Sequence, residues 1–400
     1  MTDAEWRARA ERVLLRPVPP LLRERPELWS RCPWYFTDAS GVRLRAIDGR
    51  EYIDLEMGRG PNILGYKHPI TEAARTGFQF GTARTALYHP AEVELAEILV
   101  DVIPCAENVL FAKNGSDATT VAVRMARVAT GRDAILSSGY HGFGDWCVAD
   151  SEDVLGFPSG CKGFFKNIAL NDLDGLRAAF EMHRGRVAAL IVEPAHRVVP
   201  VLSFLEACRA LADEHGAVLI FDEVVTAFRL ALGGAQEFFG VVPDLACLGK
   251  AMANGMSVSG VAGRRDLMLA IEGSFFSMTF GHDNPVFAVG KACLTYLCET
   301  GALVSIAAKG EQLRQAFDAA ARKNGLPARA IGIAPRLDLE FPEAGRLNPN
   351  TQFCLFGETL LEHGILPTAN IFACEMLGDQ DIVQASAAFE AGMERIAQQL

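Results

Sequence analysis

The sequence predicts an α/β protein built on a largely parallel sheet with helices on both faces, and three observations carry that reading. Between about Glu107 and Gly263, short apolar runs alternate with longer amphipathic helical stretches. The runs are apolar throughout, not at every second residue, as strands covered on both faces are. The chain has 400 residues, which at ~150 residues per domain means two or three lobes and not one core.

The elements follow in order. A short amphipathic helix is expected from about Asp3 to Leu15, halted by Pro17, Pro19 and Pro20. Tyr35 to Leu44 and Ala46 to Leu55 read as a hairpin of strand-like runs, the second broken by the turn signal Asp48-Gly49. Buried strands are expected at Asn108–Ala112, Ala134–Ser138, Ala188–Val192, Ala217–Phe221, Leu245–Leu248 and Val258–Ala262. Between them lie amphipathic helices such as Ala118–Ala129 and Phe204–Glu214. After about Asn284 the chain turns helical and then mixed, with a strand at Arg336–Phe341 and a closing helix at Asp379–Gln399.

Composition narrows the function. Half of the residues are hydrophobic and 22% are charged, enough apolar surface to offset ordering entropy, so a disordered chain is excluded. The formal charge is −11 and there is no long basic run, which argues against nucleic acid or an anionic membrane as partner. A small molecule is the expected partner. The ten cysteines include no Cys-x-x-Cys pair, so zinc and thioredoxin chemistry find no support and no metal site is expected. The N-terminal MTDAEWRARAERVLLRP lacks the apolar stretch of a signal peptide, and no later stretch approaches the ~20 apolar residues of a membrane span. A cytoplasmic location is expected.

Four segments carry chemistry. In FAKNGSDATTVAVRMAR a strand runs through Asn114-Gly115-Ser116 into a helix, and a helix N-terminus offers backbone amides and a positive dipole end to an anion. An ordinary turn capped by Ser116 or Asp117 would look the same. SSGYHGFGDW places Tyr140 and His141 at the carboxyl edge of a strand, where ligands of open α/β sheets sit and an aromatic side chain can stack on a planar ring. In AVLIFDEVVTAFR five apolar residues lead to Asp222 and Glu223, and a carboxylate at a buried strand end must be paired, hydrogen-bonded or functional. Glu193 in ALIVEPAH follows the same logic. Finally Lys250 follows the apolar run Leu245–Leu248 and is set among small residues, where a desolvated amine becomes a Schiff-base nucleophile.

Together these segments resemble the class III, fold-type I pyridoxal 5′-phosphate aminotransferases, in particular the glutamate-1-semialdehyde aminomutase-like branch. The carriers are NGSDATTVAVRMARVATGRDAIL, YHGFGDW, LIVEP, the long segment from FLEACRALADEHGAVLIFDEVV to LACLGKAMANG, and FFSMTFGHDNP, which in order and spacing span about Asp48 to Lys291. The resemblance implies a large, mostly parallel seven-stranded α/β/α domain (residues 56–290). A small α+β domain joins the N-terminal segment (1–55) to the C-terminal part (291–400). It also implies that Lys250 forms the internal aldimine with pyridoxal 5′-phosphate and moves the proton, and that Asp222 pairs with the pyridinium nitrogen. Tyr140 and Val224 would pack on the two ring faces, Gly115 and Ser116 would hold the phosphate, and Glu193 and His141 would stand near the ring. Thr279 would reach the phosphate from a neighbouring subunit, which makes the expected unit a homodimer with active sites at the subunit interface.

Three departures bear on substrate. Many relatives that use glutamate as donor carry an acid five residues after the Glu of Glu-Pro, where this chain has Val198. Arg59, in GRGP, replaces the usual aromatic residue and suits a substrate carboxylate or phosphate, or equally a salt bridge. His282 and Asp283 stand where smaller residues are usual, and Arg84 and His196-Arg197 are lesser candidates. The expected reaction is amino transfer from a donor to a ketone or aldehyde acceptor in a specialised biosynthetic pathway. The alternatives are an intramolecular aminomutase, with DVLGFPSGCKGFF as its lid, and a catalytically silent scaffold.

Overall fold

The computed structural model describes residues 1–23, 25–77, 88–148, 156–157 and 163–400. Among these residues thirteen strands form three sheets, and the chain divides into two compact units: Ile70–Leu303, and Met1–Pro69 together with Val304–Leu400.

The N-terminal helix runs from Asp3 to Val13, its first turn closed by Thr2 and Glu5 in a reciprocal capping box. The expected hairpin is instead a three-stranded antiparallel meander of β1 (Phe36–Ser40), β2 (Arg43–Ala46) and β3 (Glu51–Ile53). Two glycines in the left-handed region make its turns, Gly41 at φ 59° and Gly49 at φ 87°. The first of them cuts what reads in sequence as one continuous strand.

The Ile70–Leu303 unit holds the seven-stranded sheet. Its strands are β4 (Asn108–Ala112), β5 (Ala134–Ser138), β6 (Phe165–Asn167), β7 (Val187–Val192), β8 (Val218–Asp222), β9 (Leu245–Leu248) and β10 (Ser259–Gly263), in the spatial order β4-β10-β9-β8-β7-β5-β6. All run parallel except β10, which is antiparallel to both neighbours. Strand side chains alternate between two buried layers. Ile135, Ile191, Val218, Ile220 and Cys247 pack under the helix Gly115–Thr130 through Ala118, Val121, Ala122 and Met125. Leu136, Leu190, Val192, Leu219 and Phe221 face the helices Leu173–Met182 and Leu202–His215. Edge strand β6 has no counterpart in the sequence reading, because two of its three residues, Lys166 and Asn167, are exposed and give it no apolar run.

The other unit carries a small antiparallel sheet of β11 (Arg329–Ile333), β12 (Arg336–Glu340) and β13 (Asn370–Phe372). Beside it lie the helices Ala302–Lys323, Pro349–Glu362 and Asp379–Ala397. Phe317 is the hub of its core, meeting the rings of Phe341, Phe356 and Phe389 edge-on at 5.6–5.7 Å. Among the described residues the cysteines are free and all but Cys147 and Cys298 are buried, and desolvation pushes the thiols of Cys105, Cys208 and Cys293 up to about 12. No single described helix is long and apolar enough to cross a membrane.

Candidate active site

Strand register assembles the site. Ser138 is level with Val192, Val192 with Phe221, and Asp222 with Cys247, while the reversed β10 starts at Ser259 opposite Ala112. The segments that follow these residues therefore leave the sheet along one edge. They carry Tyr140 and His141 after β5, Glu193 after β7, Lys250 after β9 and the Asn114–Ser116 turn after β4. That is the carboxyl edge of the parallel strands, where open α/β sheets bind ligands. Asp222 continues the alternation of Val218 and Ile220, which assigns it to the same face as the helix that begins at Gly115.

Asp222 is buried, and its partner is histidine. His141 Nδ1 lies 2.8 Å from Asp222 Oδ2, with side-chain exposures of 1% and 7%. Among the described residues the second oxygen, Oδ1, accepts only the Val224 amide, at 3.3 Å, and keeps acceptor capacity. His141 Nε2 is buried with no hydrogen-bond partner among the described residues. Thr119 Oγ1 donates to the His141 carbonyl at 2.8 Å. The Trp146 ring stacks on the imidazole, with centroids 6.2 Å apart and an 18° interplanar angle. The Trp146 indole N–H donates to Thr120 Oγ1 at 3.0 Å, and the Thr120 hydroxyl donates to the Ser116 carbonyl at 2.6 Å. One chain of contacts thus runs from Asp222 to the first turn of the helix.

Glycines give this edge its shape. A Cβ on Gly115 would stand 3.1 Å from Val224 Cγ1 and one on Gly249 3.4 Å from the same methyl, so Val224 fills the space between the two turns. Gly142, at φ +105°, passes so close to the helix that a Cβ would lie 2.1 Å from Ser116 Oγ. Ahead of the helix, the Asn114 amide donates to Asp117 Oδ2 at 2.8 Å and Ser259 Oγ donates to the Asn114 carbonyl at 2.7 Å. The first-turn amides of Gly115 and Ser116 have no intrahelical acceptor. Gly142→Ala is expected to displace Ser116 and weaken binding of a phosphorylated ligand roughly tenfold, with a stability loss of about 2 kcal/mol from the left-handed backbone and the clash. Equilibrium dialysis with pyridoxal phosphate and a urea unfolding curve measure the two effects.

Lys250 opens a short 3-10 turn, Lys250–Ala253, in the left-handed conformation at φ 42°. Ala251, Met252 and Ala253 behind it are buried and Lys250 itself is half-buried. The Tyr140 amide donates to Glu193 Oε2 at 3.2 Å, while the Tyr140 ring is 70% exposed. Neighbouring Glu223 has a structural task. Fully buried, with its carboxyl pushed up by desolvation, it accepts from Thr226 Oγ1, the amides of Ala235 and Gln236, and Gln236 Nε2, pinning the 226–236 loop.

The remaining candidates fall elsewhere. Thr279 is exposed in a turn and, among the described residues, shares no hydrogen bond with the strand-end group. His282 Nδ1 lies 2.9 Å from Glu92 Oε1 and Asp283 Oδ2 pairs with Lys113 Nζ at 2.9 Å, so both unusual side chains are engaged by side chains from elsewhere in the unit. Arg59 belongs to the other unit, exposed on a turn in which Met57, Gly58, Arg59 and Gly60 all have positive φ, with Nε 3.5 Å from Glu56 Oε1. His196 and Arg197 are exposed. Arg84 and most of the 153–165 segment lie outside the described residues. Trp146, Thr120 and Ser259 escape the sequence reading, although Trp146 closes the same SSGYHGFGDW segment that carries His141.

A phosphorylated aromatic nitrogen heterocycle bearing a carbonyl fits these residues. The buried carboxylate with an unfilled lone pair suits a protonated ring nitrogen, the glycine-lined helix terminus suits a phosphate, and the lysine one strand away suits the carbonyl. Such a sheet with such an edge defines a fold-type I transferase. The chain belongs to the class-III aminotransferases, whose family model matches residues 29–366. It is 36% identical over 359 residues to a glutamate-1-semialdehyde 2,1-aminomutase of Syntrophobacter fumaroxidans, covering 83% of each chain. Among solved structures it resembles the FumI protein of Sphingopyxis sp. MTA144 in its PLP internal aldimine form (27% identity, TM-score 0.89, 99% of this chain and 97% of that one). A similar match is an omega-transaminase from Sphaerobacter thermophilus (25% identity, TM-score 0.89, 99% and 98%).

Proposed function

We propose that this chain is a pyridoxal 5′-phosphate-dependent aminotransferase that moves an amino group from an amine donor to a ketone or aldehyde acceptor, as a cytoplasmic homodimer in a specialised biosynthetic pathway. The observation that carries the reading is the buried Asp222–His141 pair at the end of β8, one strand from Lys250 and on the face of the helix that starts at Gly115. Bound pyridoxal phosphate supplies an electron sink for negative charge at a substrate carbon. Asp222 holds the proton on the ring nitrogen, and His141 orients Asp222 by engaging Oδ2. The amides of Gly115 and Ser116 bind the phosphate, Val224 and Tyr140 pack against the ring, and Glu193 fixes the Tyr140 backbone. Lys250 is the amine that tethers the cofactor and then carries the proton to and from the substrate carbon.

Thr279 completes the phosphate site of a second copy of the chain. Its exposure, between the exposed rings of Phe275 (85%) and Phe280 (58%), supports an interface there. Arg59 binds an anionic group of the substrate, a reading supported by its 67% exposed side chain on a left-handed turn. Arg59→Ala should raise KM for an anionic acceptor by ~10-fold or more and leave a neutral acceptor unchanged. Equal KM values in variant and parent would assign Arg59 to the turn alone.

The relationship to an aminomutase at 36% identity favours a second reading, an intramolecular shift of the amino group within one substrate. A ¹⁵N-labelled amine donor separates the two. Label recovered in an added ketone or aldehyde supports transfer. Label that stays in its own carbon skeleton at a new position, with no acceptor needed, makes the protein a mutase.

A further inference from the structure

A cavity of about 410 Å³ lies in the same unit, lined by Arg127, Asp133, Asp145, Trp146, Phe157, Phe164 and Phe165. None of these residues belongs to the strand-end group, yet Trp146 is shared between the two regions, as cavity wall and as the ring stacked on His141. We propose that this cavity is a second small-molecule site, selective for a hydrophobic cation such as an amine on an aromatic or branched apolar body.

Three observations carry the assignment. Its size is that of an ordinary ligand pocket, ~300–1,000 Å³. Four of its walls are aromatic, and aromatic faces attract cations by ~0.5–2 kcal/mol each way they are presented. The charged wall is acidic on balance: Asp133 and Asp145 are exposed at its rim, whereas Arg127 turns its Nε–H to the Asp133 carbonyl at 3.0 Å. Phe164 already shows the preference of the wall, since the Arg186 guanidinium stands over its ring at 5.8 Å. A cation held there rests on Trp146, whose indole N–H leads through Thr120 to the first turn of the Gly115 helix.

The test uses the whole cofactor-loaded protein and benzyltrimethylammonium, a quaternary cation that has no amino group to transfer and so cannot act as substrate. The chain has four tryptophans, at 6, 29, 34 and 146, of which only Trp146 is in this unit. Labelled with 5-fluorotryptophan, the protein gives a ¹⁹F resonance for Trp146 that is assigned by its loss in Trp146→Phe. Titration should shift that resonance saturably with a Kd of ~1 mM, and Asp145→Asn and Phe164→Ala should each weaken binding ~3- to 10-fold. The anion 3-phenylpropionate should leave the resonance in place. An unmoved resonance at about 20 mM cation, an equal shift by the anion, or unchanged affinity in both variants overturns the proposal. Because amino transfer is not the readout, that failure is distinct from failure of the aminotransferase reading.

Discussion

Lys250→Ala is expected to remove the visible absorption of the pyridoxal-phosphate-loaded protein, abolish borohydride fixation of the cofactor, and lower amino transfer by ~10⁴-fold or more. On the proposed function one side chain serves as covalent tether and as general base, and a positioned base alone contributes ~10²–10⁴-fold. The fold should survive. Lys250 adopts φ 42°, where lysine and alanine pay the same left-handed cost, and the buried packing of the turn comes from Ala251, Met252 and Ala253. Thermal unfolding of the two proteins should therefore nearly coincide, and added methylamine should restore part of the rate by replacing the missing amine. Cofactor still fixed by borohydride in the alanine variant would remove Lys250 from this role.

The second large effect is at Asp222, where two substitutions separate charge from structure. Asp222→Asn keeps an oxygen for His141 and removes the negative charge, so it should lower turnover by ~10²–10³-fold while pyridoxal phosphate still binds through the helix terminus. Asp222→Ala also strips His141 Nδ1 of its acceptor, in a ring whose Nε2 already lacks a partner among the described residues. It should cost a further ~1–3 kcal/mol of stability, read as a lower urea midpoint. Full activity in the asparagine variant would make Asp222 a structural partner of His141 and nothing more.

Much of this architecture is legible because burial on both faces leaves a plain signature. β4, β5 and β9 have the bounds the apolar runs suggest, and the Gly115–Thr130 helix announces itself by its periodicity, although its N-cap is Asn114 and not Ser116 or Asp117, which lie in its first turn. Other features leave no local trace. The apolar run of β10 says nothing of its direction, and the meander hides a turn at Gly41 inside a strand-like stretch. In the site, the residue types at strand ends are readable, but what they touch is not. Asp222 calls for a partner, and the sequence does not say that His141, 81 residues away, supplies it. Nor does it reveal that Glu223, next in the chain, spends its carboxylate on holding a loop. His282 and Asp283, read as polar side chains where smaller residues are usual, find Glu92 and Lys113 through tertiary packing alone.

The single reversed strand has a consequence for how this scaffold can vary. Parallel neighbours must be joined by crossovers of a dozen or more residues, and such connections can lengthen freely on the surface. The step from β9 to β10 is antiparallel and needs only residues 249–258, which carry Lys250 as their second residue and are clamped by ladder pairing at both ends. Extra residues inserted there would carry the amine off the sheet edge, whereas the same insertion between β7 and β8 would enlarge only a surface crossover. The reversal makes the lysine's connection a part of the edge where chain length is a fixed quantity. Grafting new specificity onto this protein should accordingly lengthen the other connections and leave this one as it stands.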